Sequence, residues 1–390
     1  MISVEDALTR VLALCKTTDT ETVDIRDANT RVLSQDVTAM RDQPPFDASA
    51  MDGYALQSAD LMAGAKLQII GESPAGGEFD GTVSSGTAVR IFTGGSVPAG
   101  ADLVLMQENT LRDGDVMTVT ELPSGGKHIR AKGSDFKIGD VVKAPRRLNP
   151  SDIGLLASMN IAQVPVRKKP VIAVIATGDE LVQPGENPGP SQIICSNNYA
   201  VKAVLEAQGA KVRLLPIARD NARSLKQVFA LASGADMVVT IGGASVGDYD
   251  LIHPMAKELG LDLDFYKIAM RPGKPLIAGR FGKALMVGLP GNPVSSMVCS
   301  QVFLRPAIDA MLGLPARAMP RQTFELTSGI GKNGPREHYM RAVVDAGKCT
   351  VAGNQDSGVM SVMAQSNALL VRKPFADALP RGATVECVLL

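Results

Sequence analysis

A multidomain protein that combines an α/β unit with β units is predicted by three features of the sequence. Apolar runs alternate with amphipathic segments across 170–315, a glycine-, valine- and threonine-rich stretch of short runs covers 66–122, and short strand-like segments follow Pro320. The first feature predicts a central, doubly wound α/β module with a mostly parallel sheet, the second a small β domain, and the third a C-terminal β-barrel. A chain of 390 residues is too long for one ordinary core, in keeping with several domains.

From the start of the chain, Ser3-Val4-Glu5-Asp6 reads as a helix N-terminus, with Ala7, Leu8, Val11 and Leu12 on one face. Segments 22–25 and 31–33 can pair or pack before Pro44-Pro45, where the chain must become extended. The runs 67–70, 88–92, 103–107 and 116–121 make the small β domain, and Arg112-Asp113-Gly114-Asp115 is read as a hairpin turn joining the last two. Asn149-Pro150-Ser151-Asp152 supplies an N-cap, a first-turn proline and an acidic residue ahead of a helix over 153–159. Arg167-Lys168-Lys169-Pro170 marks the boundary to the α/β module.

That module opens with an apolar run at 170–176, rich in β-branched residues, as a strand buried on both faces of a parallel sheet requires. After Thr177-Gly178-Asp179-Glu180, Ser196 stands at the N-cap position of a helix over 197–208, and Gly209 stands where a left-handed cap belongs. Strand 211–217, loop Arg219-Asp220, helix 222–232 and strand 237–241 repeat the pattern, with right-handed crossovers between parallel strands. A helix over 294–311 ends at Gly313 and Pro315. Segments 324–327, 340–344, 369–371 and 385–389 predict antiparallel strands closing on themselves.

Composition excludes several classes. Lysine plus arginine number 40 and aspartate plus glutamate 40, so no net charge recommends a nucleic acid or an anionic membrane as partner. Cys15, Cys195, Cys299, Cys349 and Cys387 form no CxxC pair, which argues against a disulfide framework or zinc site and for reduced thiols in a cytoplasmic protein. His128, His253 and His338 are isolated, and tryptophan is absent, so neither a histidine metal cluster nor a base-stacking platform is expected. Glu5, Asp6 and Arg10 interrupt any signal-peptide core, and no apolar run reaches the length of a membrane span.

In open parallel sheets ligands bind outside the carboxyl ends of the strands. The residues falling there are polar: Thr177-Gly178-Asp179-Glu180, Asp220, Gly242-Gly243-Ala244-Ser245-Val246-Gly247-Asp248-Tyr249-Asp250, Arg271-Pro272-Gly273-Lys274-Pro275 and Gly288-Leu289-Pro290-Gly291-Asn292-Pro293. Any one of these loops alone is an ordinary turn, and an aspartate after a strand is often a helix N-cap. Together on one sheet edge they predict a nucleotide or anion site: carboxylates at three loop ends suit Mg²⁺ shared with phosphate oxygens, and Arg271 and Lys274 suit an anion.

These loops, with Pro44-Pro45-Phe46-Asp47-Ala48-Ser49-Ala50-Met51-Asp52-Gly53-Tyr54-Ala55 and Ile91-Phe92-Thr93-Gly94-Gly95, resemble the molybdopterin molybdenumtransferase family, which includes MoeA and the gephyrin E-domain. The resemblance covers essentially the whole chain. It implies an N-terminal domain built from 1–45 and 135–169, a small β domain inserted at 46–134, a MogA-like molybdopterin-binding module at 170–315 and a barrel at 316–390. It further implies Mg²⁺-dependent insertion of molybdate into adenylylated molybdopterin, with release of AMP. Glu180, Asp220 and Asp250 are then the metal ligands, with Asp52 facing them, and Arg271 and Lys274 are the cationic catalytic residues. Substrate-binding positions carried over from the family are Thr93, Arg130, Asp135, Thr177, Gly178, Gly242, Gly243, Ser245, Gly247, Asp248, Pro290, Gly291, Asn292, Pro293 and Arg341. Ser357 or Ser361 holds the place of the family's C-terminal serine, and Arg271 stands where lysine is common. Also implied are a homodimer with a shared cleft and transient contacts with the preceding adenylyltransferase and with apo-molybdoenzymes. A MogA-type adenylyltransferase shares the Gly-Gly-x-Ser-x-Gly-x-x-Asp loop and would adenylylate molybdopterin instead, but lacks the three flanking regions. A non-catalytic scaffold has no need of Glu180, Asp220, Asp250 and Lys274 together.

Overall fold

A computed structural model describes residues 1–123, 125–243 and 256–390, without the side chains of Ala256 and Lys257. The predicted loop residues Ser245, Gly247, Asp248 and Asp250 lie outside the described residues. The architecture is a multidomain α/β plus β fold.

The α/β module carries a six-stranded sheet in the order Lys211–Leu214, Val171–Ala176, Met237–Ile241, Ala284–Leu289, Ile277–Phe281, Leu261–Phe265. The first four are parallel; the helices Asn197–Ala207 and Ala222–Leu231 return the chain before Lys211–Leu214 and Met237–Ile241 begin. Ile277–Phe281 runs against these four, since residues 282–283 leave room only for a hairpin between it and Ala284–Leu289, and Leu261–Phe265 pairs antiparallel to it in turn. Alternation along a strand feeds two cores: Ile172 and Val174 pack with Val201 and Leu205, while Ala173 and Ile175 pack with Leu225 and Phe229. The helix Pro293–Cys299 runs on through a π-helical segment, Ser300–Leu304, into Arg305–Met311. The first helix, Val4–Leu14, is capped by Ser3 and packs its Ala7, Leu8 and Val11 into the first of these cores.

Ser196 stands at the N-cap as expected, though its side chain makes no capping bond, whereas the strand after Gly209 is shorter than expected and stops at Leu214.

At the N-terminal end, Thr20–Asp24 and Val32–Leu33 do not pair with each other; Gln163–Arg167 lies between them, and Arg146–Arg147 completes the sheet. The helix Pro150–Ser158 begins with the expected Asn149–Asp152 capping box. The β unit orders its strands Leu103–Met106, Gly53–Leu56, Thr87–Ile91, Lys66–Ser73, Val116–Val119, Thr110–Asp113. The turn at 113–116 is therefore a hairpin, but it joins Thr110–Asp113 to Val116–Val119. The polar Thr110–Asp113 is an edge strand without an apolar pattern, and the apolar Leu103–Met106 pairs instead with Gly53–Leu56.

Beyond residue 320, Glu337–Asp345, Lys348–Val351, Arg321–Leu326, Thr384–Leu389 and Ala368–Arg372 form a closed five-stranded barrel, because the last strand pairs back on the first. Met270–Arg271 adds to Glu337–His338 in parallel, tying the barrel to the module just where the cationic loop leaves the sheet. Among the described residues no helix is long and apolar enough to cross a membrane.

Candidate functional site

The carboxyl ends of the parallel strands open into a cleft of about 530 Å³. Asp220 with Thr177, Gly178 and Glu180 lines the wall after the first two strands of the sheet, Gly242 and Gly243 follow after the third, and Pro290, Gly291, Asn292 and Pro293 after the fourth, with Lys274 completing the lining. Asn197, at the start of its helix, donates its Nδ2 to the Gly291 carbonyl at 2.6 Å and so holds the proline-rich loop in place. Asp220 is not the helix cap: Asn221 takes that role, accepting from the Ser224 amide at 2.9 Å. Burial, then the charges of Asp179 and Glu180, push the Asp220 carboxyl above its usual range. This wall is acidic.

Lys274 and Asn292 also line a second cavity, of about 280 Å³, with Arg271, Ser295, Arg336 and Ser357. The loop between the two cations is tightly supported: Gly273 has φ +133°, and a Cβ there would stand 2.8 Å from Cys299 Sγ and 3.0 Å from Met270 Sδ. Asn292 Nδ2 donates to Ser357 Oγ at 3.2 Å, and the Val294 amide donates to the Ser357 carbonyl at 3.1 Å, which joins module and barrel across the cavity. Behind this wall lies Arg341, with 0% exposure. Its Nη2 donates to the Asp356 carbonyl at 3.3 Å, whereas Nε and Nη1 have no partner among the described residues. Burial, then the charge of Arg271, lowers the guanidinium to about 10. His338 beside it is held down to about 4 by burial and then by Arg271, Arg341, Arg336 and Arg372, so it is neutral near pH 7. Unpaired buried donors cost about 1–3 kcal/mol each, and Arg341 itself lines neither cavity.

The residues expected from the N-terminal half lie elsewhere. Asp52 accepts from the Thr93 hydroxyl and the Thr93 amide, each at 2.7 Å, and these two bonds hold its carboxyl below the ordinary range. Arg130 and Asp135 are exposed, and Asp52, Thr93, Arg130 and Asp135 line neither cavity of this single chain. Ser361 is exposed on the helix Met360–Gln365 and lines neither, unlike Ser357.

Family models match three successive regions of the chain: the MoeA N-terminal region (domain I and II) over residues 2–160, a "Probable molybdopterin binding domain" over 173–310, and the MoeA C-terminal region (domain IV) over 323–390. A molybdopterin molybdenumtransferase of Haemophilus influenzae is 35% identical to it, across 99% of this chain and 98% of the relative. The chain belongs to the molybdopterin molybdenumtransferase family. A family member from a Nostoc species is 35% identical over 94% of this chain and 86% of its own. Among solved structures, the molybdopterin biosynthesis moeA protein of Pyrococcus horikoshii OT3 aligns over 100% of both chains with a TM-score of 0.86 and 28% identity.

Family motifs alone did not single out Ser295, Arg336, Gln355 or Asp356, which line the second cavity. Arg336 and the 355–356 pair come from barrel segments with no loop signature, so only the pairing of Met270–Arg271 with Glu337–His338 could disclose them. Among the described residues, no three His, Cys, Asp or Glu side chains converge into a ready-made metal cage. Two carboxylates on one wall, one of them destabilised as an anion by its neighbours, nevertheless fit Mg²⁺, which takes one or two carboxylates and completes its shell with water and phosphate oxygens.

Proposed function

We propose that this chain is an enzyme that inserts molybdate into adenylylated molybdopterin with release of AMP. The observation that carries this reading is a cleft with an acidic half and a cationic half that share Lys274 and Asn292. The acidic half, with Glu180 and Asp220, suits Mg²⁺ on a phosphoanhydride; the metal would neutralise phosphate charge and orient the leaving AMP. The cationic half suits a tetrahedral dianion: Arg271, Lys274 and Arg336 supply charge, and Ser295 and Ser357 supply hydroxyl donors. Lys274 at the junction would attract both the phosphate and the molybdate, and so bring the cleavage and the insertion together. A cleft at the carboxyl ends of parallel strands supports this reading, since open parallel sheets bind ligands there.

A decisive assay incubates the protein anaerobically with adenylylated molybdopterin, molybdate and Mg²⁺, and measures AMP together with reconstitution of an apo-molybdoenzyme. AMP without reconstitution, or neither, rejects the reading. We also infer a homodimer in which the Asp52–Thr93 region of one protomer completes the cleft of its partner, since within one chain it lines neither cavity. Mixing Asp52→Ala with Asp220→Ala protomers should restore about a quarter of wild-type AMP release, because about half the dimers are mixed and each has one intact site. No recovery in a preparation shown by mass to hold mixed dimers rejects the shared cleft.

A further inference from the structure

We propose that Arg219 is a positioning residue that holds the acidic wall in a cation-ready shape without occupying its carboxylates. The proposal rests on the reading of Glu180 and Asp220 as cation ligands. The Arg219 side chain reaches back across the carboxyl end of the sheet, and its Nη1 donates to three carbonyl oxygens of one loop: Gly178 at 3.2 Å, Asp179 at 3.0 Å and Leu181 at 3.0 Å. Its own backbone is anchored in turn, the amide donating to Ser224 Oγ at 2.9 Å in the first turn of the following helix. The next amide, that of Asp220, donates to Asp179 Oδ1 at 3.1 Å. Loop 178–181 and the Asp220 turn are thus one hydrogen-bonded unit with a guanidinium at its centre.

What the guanidinium leaves alone is as informative. Asp179, Glu180 and Asp220 all lie within its reach in the chain, yet among the described residues Arg219 forms no ion pair. An arginine usually takes a carboxylate in bidentate fashion, which consumes the lone pairs that a cation needs. Here Nη1 goes to carbonyls, and the charge still acts on Asp220, opposing the repulsion from Asp179 and Glu180. The loop it pins is strained in its requirements: Gly178 has φ +151°, and a Cβ there would lie 2.5 Å from Glu180 Oε2. The Glu180 carboxylate is therefore folded tightly over its own loop backbone, and its position depends on the loop staying closed. Groups that orient ligands in this way commonly change metal affinity by about 10–100-fold when removed.

The test uses the full chain and Mn²⁺ as the probe, followed by electron paramagnetic resonance of the free ion, with amide hydrogen exchange of peptides covering 177–182. Arg219→Met should weaken Mn²⁺ binding about tenfold or more and speed exchange in that loop. Arg219→Lys should recover affinity to within about threefold of wild type, because one ammonium can offer three donors to three carbonyls. If Arg219→Met does not fold, Arg219→Gln, which keeps a donor but loses the charge and the reach, replaces it with the same expected loss. Wild-type affinity and exchange in the neutral variant, or a lysine variant no better than the neutral one, overturns the role of Arg219 and leaves the carboxylate site standing. Failure of the wild-type protein to bind Mn²⁺ overturns the carboxylate site itself, and the role of Arg219 with it.

Discussion

The acidic and cationic halves of the cleft are neighbours built in opposite ways. Glu180 and Asp220 sit on loops that directly follow parallel strands, and their surroundings come from the same α/β unit. The cationic half draws Arg271 from the module, Ser295 from the helix after the proline-rich loop, and Arg336 and Ser357 from the barrel. The contrast teaches that charge separation within one cleft can be produced by joining two folding units. Glu180 and Asp220 line only the first cavity, the second sets Arg271, Lys274 and Arg336 against the single carboxylate of Asp356, and Lys274 and Asn292 are the seam.

Removing the seam tests that comparison most severely. Lys274→Ala is expected to weaken molybdate dependence by up to about a hundredfold, the upper range for one charged hydrogen bond, with a smaller loss in adenylate binding, both measured by AMP release. Equal losses in the two would mean that the halves are not separable. Asp220→Asn should raise the Mg²⁺ concentration needed by about tenfold and leave the molybdate requirement unchanged; a shifted molybdate requirement would break the division into two walls.

Smaller effects probe the buried charge behind the cationic half. Arg341→Met should reduce molybdate affinity several-fold while leaving thermal stability unchanged or higher by about 1 kcal/mol, since an imperfectly paired buried charge is exchanged for a well-packed side chain. A large loss of stability would assign Arg341 to the scaffold instead. His338 gives a pH dependence. Its folded value of about 4 lies below the ordinary 6.5, so the unfolded chain binds the proton first as pH falls. Its contribution to stability is complete above pH 6.5 and is lost as pH falls towards about 4, with a slope of at most about 1.4 kcal/mol per pH unit. Denaturant melts of His338→Gln should be flatter over that interval, and an identical profile would show that other groups dominate.

Much of the protein was legible in one dimension, for reasons that differ from element to element. The β-branched run at 171–176, the capping box at Asn149–Asp152 and the helix through 293–311 are local signals, carried by residues a few positions apart. The hairpin was misread because Thr110–Asp113 is polar on an edge, where burial imposes no pattern. Ser196 resembled a cap by composition, but capping is a matter of side-chain geometry, and Asn221 rather than Asp220 caps the later helix.

By itself the sequence determined the alternation of strands and helices, the loops at the strand ends and the motifs that carry the family resemblance, because each depends on neighbouring residues and short-range periodicity. Only the tertiary structure decided that Arg336 and Ser357 meet Arg271 and Lys274, and that Ser357 rather than Ser361 lines the cavity. It also decided that Arg219 spends its donors on carbonyls instead of carboxylates. Those choices depend on closing a barrel and pairing Met270–Arg271 with Glu337–His338, contacts between residues far apart in the chain. No local pattern encodes such a contact, since its free energy arises only when both partners are already folded.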